Sequence, residues 1–438
     1  MNLKPTKPLS GFVELTPAQQ RCFDECTGKM INSLKLAGFQ RLDLPVIERF
    51  EVLTDKENFD DIDTEMYVFE KGDTKMGLRY DGTIGLARYV AGHLNDLTFP
   101  FRAYQLAKNY RAERPQKGRY REFYQIDLDI LGQGDLSINY DVEIIAAMGR
   151  AFDSIKAEVG EVYARIGSRA FWNAAFDVLG IAEFDKTRAA LVLIDKREKM
   201  EESEFKKALA DLVGENAAGD IIATFADPRH LSGRSAAVDS ALTDLEFVVK
   251  QSKTMGVDAQ LDLSIMRGHG YYTGTVFEFY FKDNVIKTQI GGGGRYENLV
   301  SKFSKTKIVG VGAGFGPSRI FVPMLEDNKI DLSKYEPQAE VVAMPIGREQ
   351  VAAVFEAVRV LRDANIVTST FLDPEKKFKN IIEYADKTKA LFAIIIGEDE
   401  VKAKTVTLKN MTTGEQGTLS LQDAIQAIKR VLPDTCHI

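Results

Sequence analysis

A dense cluster of cations lies near the middle of one half of this sequence, although the whole chain of 438 residues carries a formal net charge of −7. Between Lys108 and Glu122 there are six cations and only two anions. Pro115 and Gly118 within this run favour a turn rather than a helix. A cationic loop in an acidic protein indicates a binding site for a polyanion, such as the phosphates of a nucleotide.

The segments on either side of this loop predict the geometry of the site. Residues 101–111 and 122–131 both have the composition and alternation of strands. In the second strand, a period of two places an aromatic, an amide and two carboxylates on one face, namely Phe123, Gln125, Asp127 and Asp129. A solvated polar face of an edge strand is the alternative interpretation, but it does not explain the neighbouring arginine loop. For Asp127, a role in a core hydrogen-bond network and a functional role stay equally open.

Other elements must position these side chains. A hairpin is expected to turn at residues 71–73, and Asp81-Gly82-Thr83 then begins a helix over residues 84–94. Residues 170–250 have long helical patterns, and the glycines of Gly291–Tyr296 are expected to open into a helix. After a polar linker at 326–337, strands and helices alternate, which predicts a small α/β domain with a mixed sheet over residues 338–438.

Composition limits the class of protein. The chain has 45% hydrophobic and 28% charged residues, as soluble globular proteins do, and its length predicts about three domains. The first residues lack the apolar run of a signal peptide, and no stretch is long and apolar enough to predict a membrane span. Three cysteines do not make a disulfide framework, so we expect a protein of the reducing cytoplasm. We interpret none of the four scattered histidines as a metal ligand.

Six peptides in order carry a family resemblance. The chain resembles the histidyl-tRNA synthetases, which are class II aminoacyl-tRNA synthetases, along nearly its whole length. The peptides correspond to the first class motif (the helix at 17–37 and the strand that ends at Pro45), the amino-acid-recognition loop (78–83), the second motif (110–125), two peptides specific to the histidine enzymes (267–274 and 291–296) and the third motif (312–319).

The resemblance implies a fold and a domain organisation. The expected fold is an α+β catalytic domain with an antiparallel β-sheet over residues 1–325, carrying a helical insertion at about 170–250. The segment 326–337 would be the linker, and residues 338–438 would be an α/β domain of the anticodon-binding type with a mixed sheet. The first motif also implies a homodimer.

The resemblance further implies a reaction. The expected enzyme activates L-histidine with ATP to histidyl-adenylate and transfers the histidyl group to the 3′ end of tRNA(His). Mg²⁺ would accompany ATP, because phosphate oxygens and water suit this ion. The alternative is a catalytically inactive paralogue that acts as the regulatory subunit of ATP phosphoribosyltransferase in histidine biosynthesis. That alternative typically lacks the terminal domain and has eroded ATP motifs. This sequence has the terminal domain and keeps the residues of the ATP motifs, Arg111, Glu113, Arg267 and Arg319.

The resemblance assigns roles to individual residues. Arg267 and Arg111 would be the catalytic residues, with Arg267 joining the substrate carboxylate to the α-phosphate. The residues expected to bind ATP are Arg111, Glu113, Arg119, Phe123 and Arg319. The residues expected to bind histidine are Asp81, Gly82, Thr83, Gln125, Asp129, Arg267, Tyr271 and Tyr272, with Asp129 and Tyr272 at the two imidazole nitrogens. Gln116 and Lys117 would contact tRNA, although a solvated loop is the competing interpretation for several cations there.

Two positions depart from the family pattern. His269-Gly270 replaces the usual Leu-Asp of the first histidine-specific peptide, which affects packing near the histidine pocket. Ser318 replaces the usual glutamate before the arginine of the third motif, which affects one contact near the ATP site. The arginine and tyrosine positions that the chemistry needs are unchanged.

Overall fold

A computed structural model describes residues 4–54, 65–266, 272–283, 286–337, 339–373 and 378–432. The chain folds as two units. The first comprises Met1–Glu14 and Phe23–Ile330, and the second comprises Leu15–Cys22 and Asp331–Ile438.

Two sheets form the strand framework of the first unit. Its strands are β1 (Gln40–Arg41), β2 (Ile47–Arg49), β3 (Val68–Lys71), β4 (Thr74–Leu78), β5 (Phe101–Tyr110), β6 (Glu122–Gln133), β7 (Val162–Ser168), β8 (Ala259–Leu261), β9 (Tyr272–Phe281), β10 (Gly291–Tyr296) and β11 (Ile308–Phe315). The large sheet has the order β1-β5-β6-β11-β10-β9-β7-β8, and β2-β4-β3 form a small sheet. Strands β5, β6, β11, β10, β9 and β7 pair antiparallel, whereas β1 with β5 and β7 with β8 pair parallel. The predicted antiparallel sheet is therefore confirmed.

The chain from Pro17 to Glu326 also contains α-helices, and the first of these has residues in both units. They are Pro17–Leu36, Phe50–Leu53, Thr83–Gly92, Asn139–Asp153, Lys156–Val159, Arg169–Val178, Phe184–Asp195, Glu202–Val213, Glu215–Ala226, Ala236–Thr254 and Pro317–Glu326, with short 3₁₀ turns at Arg197–Lys199 and Val300–Lys302. The helices from Arg169 to Thr254 follow one another between β7 and β8. Among the described residues, no helix is both long and apolar enough to cross a membrane.

Strand β6 is buried on both faces. Ile126, Leu128 and Ile130 have no exposed surface, as expected for the apolar face of an alternating strand. The polar face is also buried, with Asp127 only 3% and Asp129 only 2% exposed. The interpretation of this face as a solvated edge is therefore wrong, because β5 and β11 flank β6 on its two sides.

The apolar face of the large sheet packs against the helix Asn139–Asp153. The ring of Phe152 from this helix lies 5.3 Å from the ring of Phe279 on β9 and 5.2 Å from that of Phe315 on β11. All three rings are buried. The opposite face of β6 and β11 is left for polar side chains.

The second unit contains a five-stranded mixed sheet in its described part. Its strands are β12 (Val341–Pro345), β13 (Thr368–Thr370), β14 (Phe392–Ile396), β15 (Val406–Asn410) and β16 (Gln416–Leu419), in the order β13-β12-β14-β15-β16. The first three strands pair parallel, and β15 and β16 are antiparallel. The helices are Val351–Asp363, Phe378–Lys387, Glu398–Ala403 and Leu421–Val431, with 3₁₀ turns at Ser333–Tyr335 and Arg348–Gln350. The predicted α/β domain with a mixed sheet is confirmed.

One expected element is wrong. The glycines of Gly291–Tyr296 do not open into a helix but form β10, between β9 and β11. A Cβ added to Gly293 would lie 2.7 Å from the Cα of Ala313 on β11. Glycine is therefore required here because the neighbouring backbone approaches too closely for any side chain.

Candidate active site

An open cleft with a volume of about 470 Å³ lies over the polar face of β6, β10 and β11. Strand β11 pairs with β6 so that Gly312 is opposite Asp129 and Gly314 is opposite Asp127. A Cβ at Gly314 would lie 2.7 Å from Oδ1 of Asp127. The glycines of β11 therefore leave the space that the two carboxylates occupy.

Most of the predicted substrate-binding residues meet in this cleft. Its lining includes Asp81, Thr83, Arg111, Glu113, Arg119, Phe123, Gln125, Asp129, Tyr272 and Arg319. Gly82 lies behind the lining, where its carbonyl oxygen accepts a hydrogen bond of 3.0 Å from Nε2 of Gln105. Arg267 and Tyr271, together with the departure at His269-Gly270, lie outside the described residues.

Gln116 and Lys117 line a neighbouring cleft of about 390 Å³ rather than the main one. Arg119 and Arg319 border both clefts, so the two are adjacent. Nζ of Lys117 pairs with Oδ1 of Asp327 at 2.5 Å, and both side chains are partly exposed. An exposed pair of this kind is easily broken and leaves the lysine available to another anion.

Aromatic rings hold the guanidinium of Arg111. It lies 4.3 Å from the ring centre of Tyr80 and 5.2 Å from that of Phe123. Its Nε is buried and has no hydrogen-bond partner among the described residues. Because stacking rather than a carboxylate positions this cation, its charge is available to an anion in the cleft.

Glu113 lies beside this arginine. Its Oε1 accepts a hydrogen bond of 3.3 Å from the hydroxyl of Tyr80, and its Oε2 lies 4.0 Å from Nη1 of Arg119. Burial raises the pKa of Tyr80 to about 12, so this phenol stays protonated and acts as a donor at neutral pH. The Glu113–Arg119 pair is long and partly exposed, so both groups can exchange partners at little cost.

The start of the helix Pro317–Glu326 closes one side of the cleft. Nη2 of Arg319 donates to Oγ1 of Thr288 at 3.1 Å. The hydroxyl of the preceding Ser318 accepts a hydrogen bond of 2.8 Å from the backbone N–H of Tyr124. Ser318, where the chain departs from the family pattern, thus joins the start of the helix to β6. Its side chain is not part of the cleft lining.

Asp81, Asp127 and Asp129 form an acidic part of the cleft lining, which is called the acidic end below. Oδ1 of Asp81 caps the helix Thr83–Gly92 by accepting bonds from the N–H groups of Thr83 at 3.0 Å and Ile84 at 3.1 Å. Its Oδ2 is buried without a hydrogen-bond partner among the described residues. Burial raises the pKa of Asp81, and these two N–H bonds oppose the shift only in part. An oxygen placed in this way is suited to accept from a cationic donor.

Two further carboxylates lie beside Asp81. Oδ1 of Asp127 accepts a hydrogen bond from Nε2 of Gln125, and burial together with the charge of Asp81 raises the pKa of Asp127 to about 7. Oδ1 of Asp129 accepts a bond of 2.8 Å from the hydroxyl of Tyr296, and burial raises the pKa of Asp129 to about 8 despite this bond. Asp127 lines the cleft and bonds a predicted substrate-binding residue, so it belongs to the site as well as to the core network.

The sequence interpretation missed Tyr80, Tyr296 and Glu278 as members of the site, and all three line the cleft. Tyr80 and Tyr296 lie inside peptides that the family resemblance had already singled out. The hydroxyl of Tyr280 donates to Oε2 of Glu278 at 2.5 Å.

Among the described residues, no group of three or more His, Cys, Asp and Glu side chains could hold a metal ion.

The chain matches two family models. The model described as histidyl-tRNA synthetase matches residues 11–320, and the model described as anticodon-binding domain matches residues 340–431. Curated relatives agree with the first match. The histidine–tRNA ligases of Clostridium tetani and Finegoldia magna are each 35% identical to this chain over 96% of its length, and the alignments cover 97% and 99% of those proteins.

Solved structures share the fold. The histidyl-tRNA synthetase of Nostoc sp. PCC 7120 aligns with a TM-score of 0.85 and 28% identity, covering 98% of this chain and 100% of the other. A protein from Bacillus halodurans described as an ATP phosphoribosyltransferase regulatory subunit/histidyl-tRNA synthetase aligns with a TM-score of 0.74 over 90% of this chain and 99% of its own. At 19% identity, that likeness concerns the fold alone. The family model over residues 11–320 and the relatives at 35% identity show that this chain belongs to the histidyl-tRNA synthetase family.

Proposed function

We propose that this protein is a histidine–tRNA ligase, which converts L-histidine and ATP to histidyl-adenylate and pyrophosphate and then charges tRNA(His). The observation that carries the proposal is a cleft whose lining contains both Arg111, which makes no salt bridge to a described carboxylate, and the buried carboxylates of Asp81, Asp127 and Asp129. ATP is a polyanion, and histidine carries an ammonium group and an imidazole. The two ends of the cleft therefore match the two substrates in charge.

In the first step, a carboxylate oxygen of histidine attacks the α-phosphorus of ATP, and pyrophosphate leaves. No covalent bond to the enzyme is needed, so the protein contributes positioning and stabilisation of charge. Arg111 acts on the α-phosphate, because aromatic rings hold its guanidinium and no described carboxylate neutralises it. The family resemblance assigns Arg267 to the α-phosphate as well, where it would join this phosphate to the attacking carboxylate.

The nucleotide lies at the arginine end. Glu113 accepts from the adenine amino group, Arg119 pairs with a distal phosphate, and Phe123 and Arg319 enclose the adenine ring. Each of these side chains lines the cleft. Mg²⁺ enters as part of the ATP substrate, since phosphate oxygens and water suit it.

The amino acid lies at the acidic end. Asp81, the backbone at Gly82, Thr83 and Gln125 hold the ammonium and carboxylate groups, and the unpartnered Oδ2 of Asp81 accepts from the ammonium. Asp129 and Tyr272 bind the two nitrogens of the imidazole, and Tyr271 helps to enclose it by family resemblance. A carboxylate and a phenol together match the donor and the acceptor that a neutral imidazole offers. Analogues that leave these groups unpaired are rejected by roughly 10⁴-fold or more.

Transfer to tRNA uses the neighbouring cleft, where Gln116 and Lys117 contact the acceptor end of the tRNA. Residues 1–325 form the catalytic domain with its insertion at about 170–250, residues 326–337 the linker, and residues 338–438 the anticodon-binding domain. The match of the anticodon-binding model to residues 340–431 supports the last assignment. We also infer a cytoplasmic homodimer, and a monomeric mass in solution would contradict the dimer.

The test is pyrophosphate exchange into ATP with the purified full chain. Exchange is expected only when histidine is added, with the other amino acids as controls, and tRNA(His) should then accept radiolabelled histidine. Absence of exchange at saturating histidine and ATP would refute the ligase. In that case the regulatory subunit of ATP phosphoribosyltransferase becomes the better interpretation.

A further inference from the structure

The guanidinium of Arg169 joins two backbone carbonyls that are separated along the chain. Its Nε donates to the carbonyl oxygen of Met266 at 2.9 Å, and its Nη1 donates to that of Tyr272 at 3.2 Å. These are the described residues on either side of residues 267–271. One side chain therefore fixes both ends of this peptide.

The helix that carries Arg169 is itself well anchored. Arg169 is the first residue of the helix Arg169–Val178, whose N-terminus is capped by Oγ of Ser168. One turn later, Nε1 of the fully buried Trp172 donates to the carbonyl oxygen of Leu263 at 2.7 Å. The guanidinium is thus held on a rigid element rather than on a loop.

The backbone held by Arg169 carries a side chain of the cleft. Tyr272 is 7% exposed and lines the acidic end, where it pairs with Tyr296 across β9 and β10. Tyr296 in turn donates to Asp129. A displacement of the Tyr272 backbone would therefore move a group at the acidic end.

We propose that Arg169 is a positioning residue for recognition of the amino-acid side chain, acting through Tyr272. The inference rests on the proposed function of the cleft. Arginine suits this role because its planar fork can donate to two carbonyl oxygens in fixed directions at once, whereas a lysine offers a single point charge on a flexible stem. Arg169 itself does not line the cleft.

The test compares Arg169→Met, Arg169→Lys, Tyr272→Phe and the double variant Arg169→Met/Tyr272→Phe in histidine-dependent pyrophosphate exchange. Arg169→Met should raise KM for histidine by about 5- to 150-fold, the loss expected when one buried polar partner of the imidazole is left unsatisfied. KM for ATP should stay within about twofold, because the adenine end is untouched. Arg169→Lys should fall between wild type and Arg169→Met.

The double variant separates positioning from general destabilisation. If Arg169 acts through Tyr272, the double variant should be little worse than the more damaging single variant. Thr224→Val is the control, because it removes a buried donor to a backbone carbonyl, that of Asp220, in a helix that does not line the cleft. This control should lower the melting temperature and leave KM for histidine unchanged.

Four results would overturn the inference, and an Arg169→Met variant with unaffected KM for histidine is the simplest of them. The second is an equal rise of both KM values in Arg169→Met. The third is a double variant in which the two single effects multiply. The fourth is an Arg169→Lys variant that folds and binds histidine as wild type does, which decides the question even where Arg169→Met does not fold. Absence of exchange by the wild-type protein would refute the proposed function itself, and a normal wild type with an unaffected Arg169→Met would refute only the role of Arg169.

Discussion

Gly312→Ala is expected to weaken histidine binding by acting on Asp129. A Cβ at this position would lie less than 3.0 Å from Oδ1 and 2.9 Å from Cγ of Asp129, and 3.2 Å from Cε1 of Tyr296. Ordinary van der Waals contact begins at 3.4 Å, so the carboxylate must retreat by at least half an ångström. Asp129 is 2% exposed and is held by its 2.8 Å bond with Tyr296, so this bond is expected to break or bend.

The magnitude has two parts. Inserting a methyl group into this packed site costs about 1–3 kcal/mol of folding free energy. Misaligning Asp129 at the imidazole leaves one buried polar group unsatisfied, which costs about 1–3 kcal/mol, or about 5- to 150-fold in affinity. KM for histidine should rise by this factor, while KM for ATP changes by less than about twofold, because the close neighbours of Gly312 lie at the acidic end.

The assay is steady-state pyrophosphate exchange with histidine and ATP varied separately, together with thermal melts. Gly219→Ala is the control, since a Cβ at that helical glycine meets nothing within 4 Å and should stabilise the helix by up to about 1 kcal/mol. An unchanged KM for histidine in Gly312→Ala, combined with an unchanged melting temperature, would refute the argument that this glycine makes room for Asp129.

Two further predictions follow from the ionisable groups. Burial raises the pKa of Asp129 to about 8 from 3.8, so the folded state holds its proton more tightly than the unfolded chain. Protonation of Asp129 therefore stabilises the folded state, fully below about pH 4, and this stabilisation is lost as the pH rises through about 8. The melting temperature of Asp129→Asn should therefore depend less on pH between 5 and 9 than that of wild type. Identical pH profiles of the melting temperature for Asp129→Asn and wild type would contradict this prediction. Lys117→Ala should leave pyrophosphate exchange unchanged but raise KM for tRNA by about 3- to 10-fold, because its exposed pair with Asp327 contributes little to stability. Lys186→Ala, which removes an exposed pair at the helix Phe184–Asp195, is the control. Equal KM values for tRNA in wild type and Lys117→Ala would exclude Lys117 from the tRNA site.

Local patterns were enough to predict the elements that carry the site. The strands expected at 101–111 and 122–131 are found at Phe101–Tyr110 and Glu122–Gln133, because alternation over ten residues is a strong signal. The helix expected at Gly291–Tyr296 is wrong because side-chain periodicity gives no information about a run of glycines. What decides the structure there is the close approach of β11, which local sequence does not contain.

The hydrogen-bond partners of the site residues come from parts of the chain that are far apart in sequence. The Asp129–Tyr296 bond joins residues 167 positions apart, and no spacing rule predicts it. The register of β6 with β11, which places Gly312 opposite Asp129, is likewise a property of the folded sheet. The sequence supplied the residue types at the cleft, through the arginine loop and the alternating carboxylates, but the partners that orient them became visible only in the structure.

The cleft keeps charges of opposite sign in one cavity without allowing them to neutralise each other. Asp81, Asp127 and Asp129 are buried, and burial raises the pKa of each; the charge of Arg111 opposes the shift at Asp81 and Asp127 only in part. Arg111 stacks on the rings of Tyr80 and Phe123 and makes no salt bridge to any of these carboxylates among the described residues. A direct pair would stabilise the empty protein and would have to be broken before either substrate could bind. The unpaired arrangement reduces stability in the empty state and increases affinity for substrates that bring an ammonium to one end and phosphates to the other.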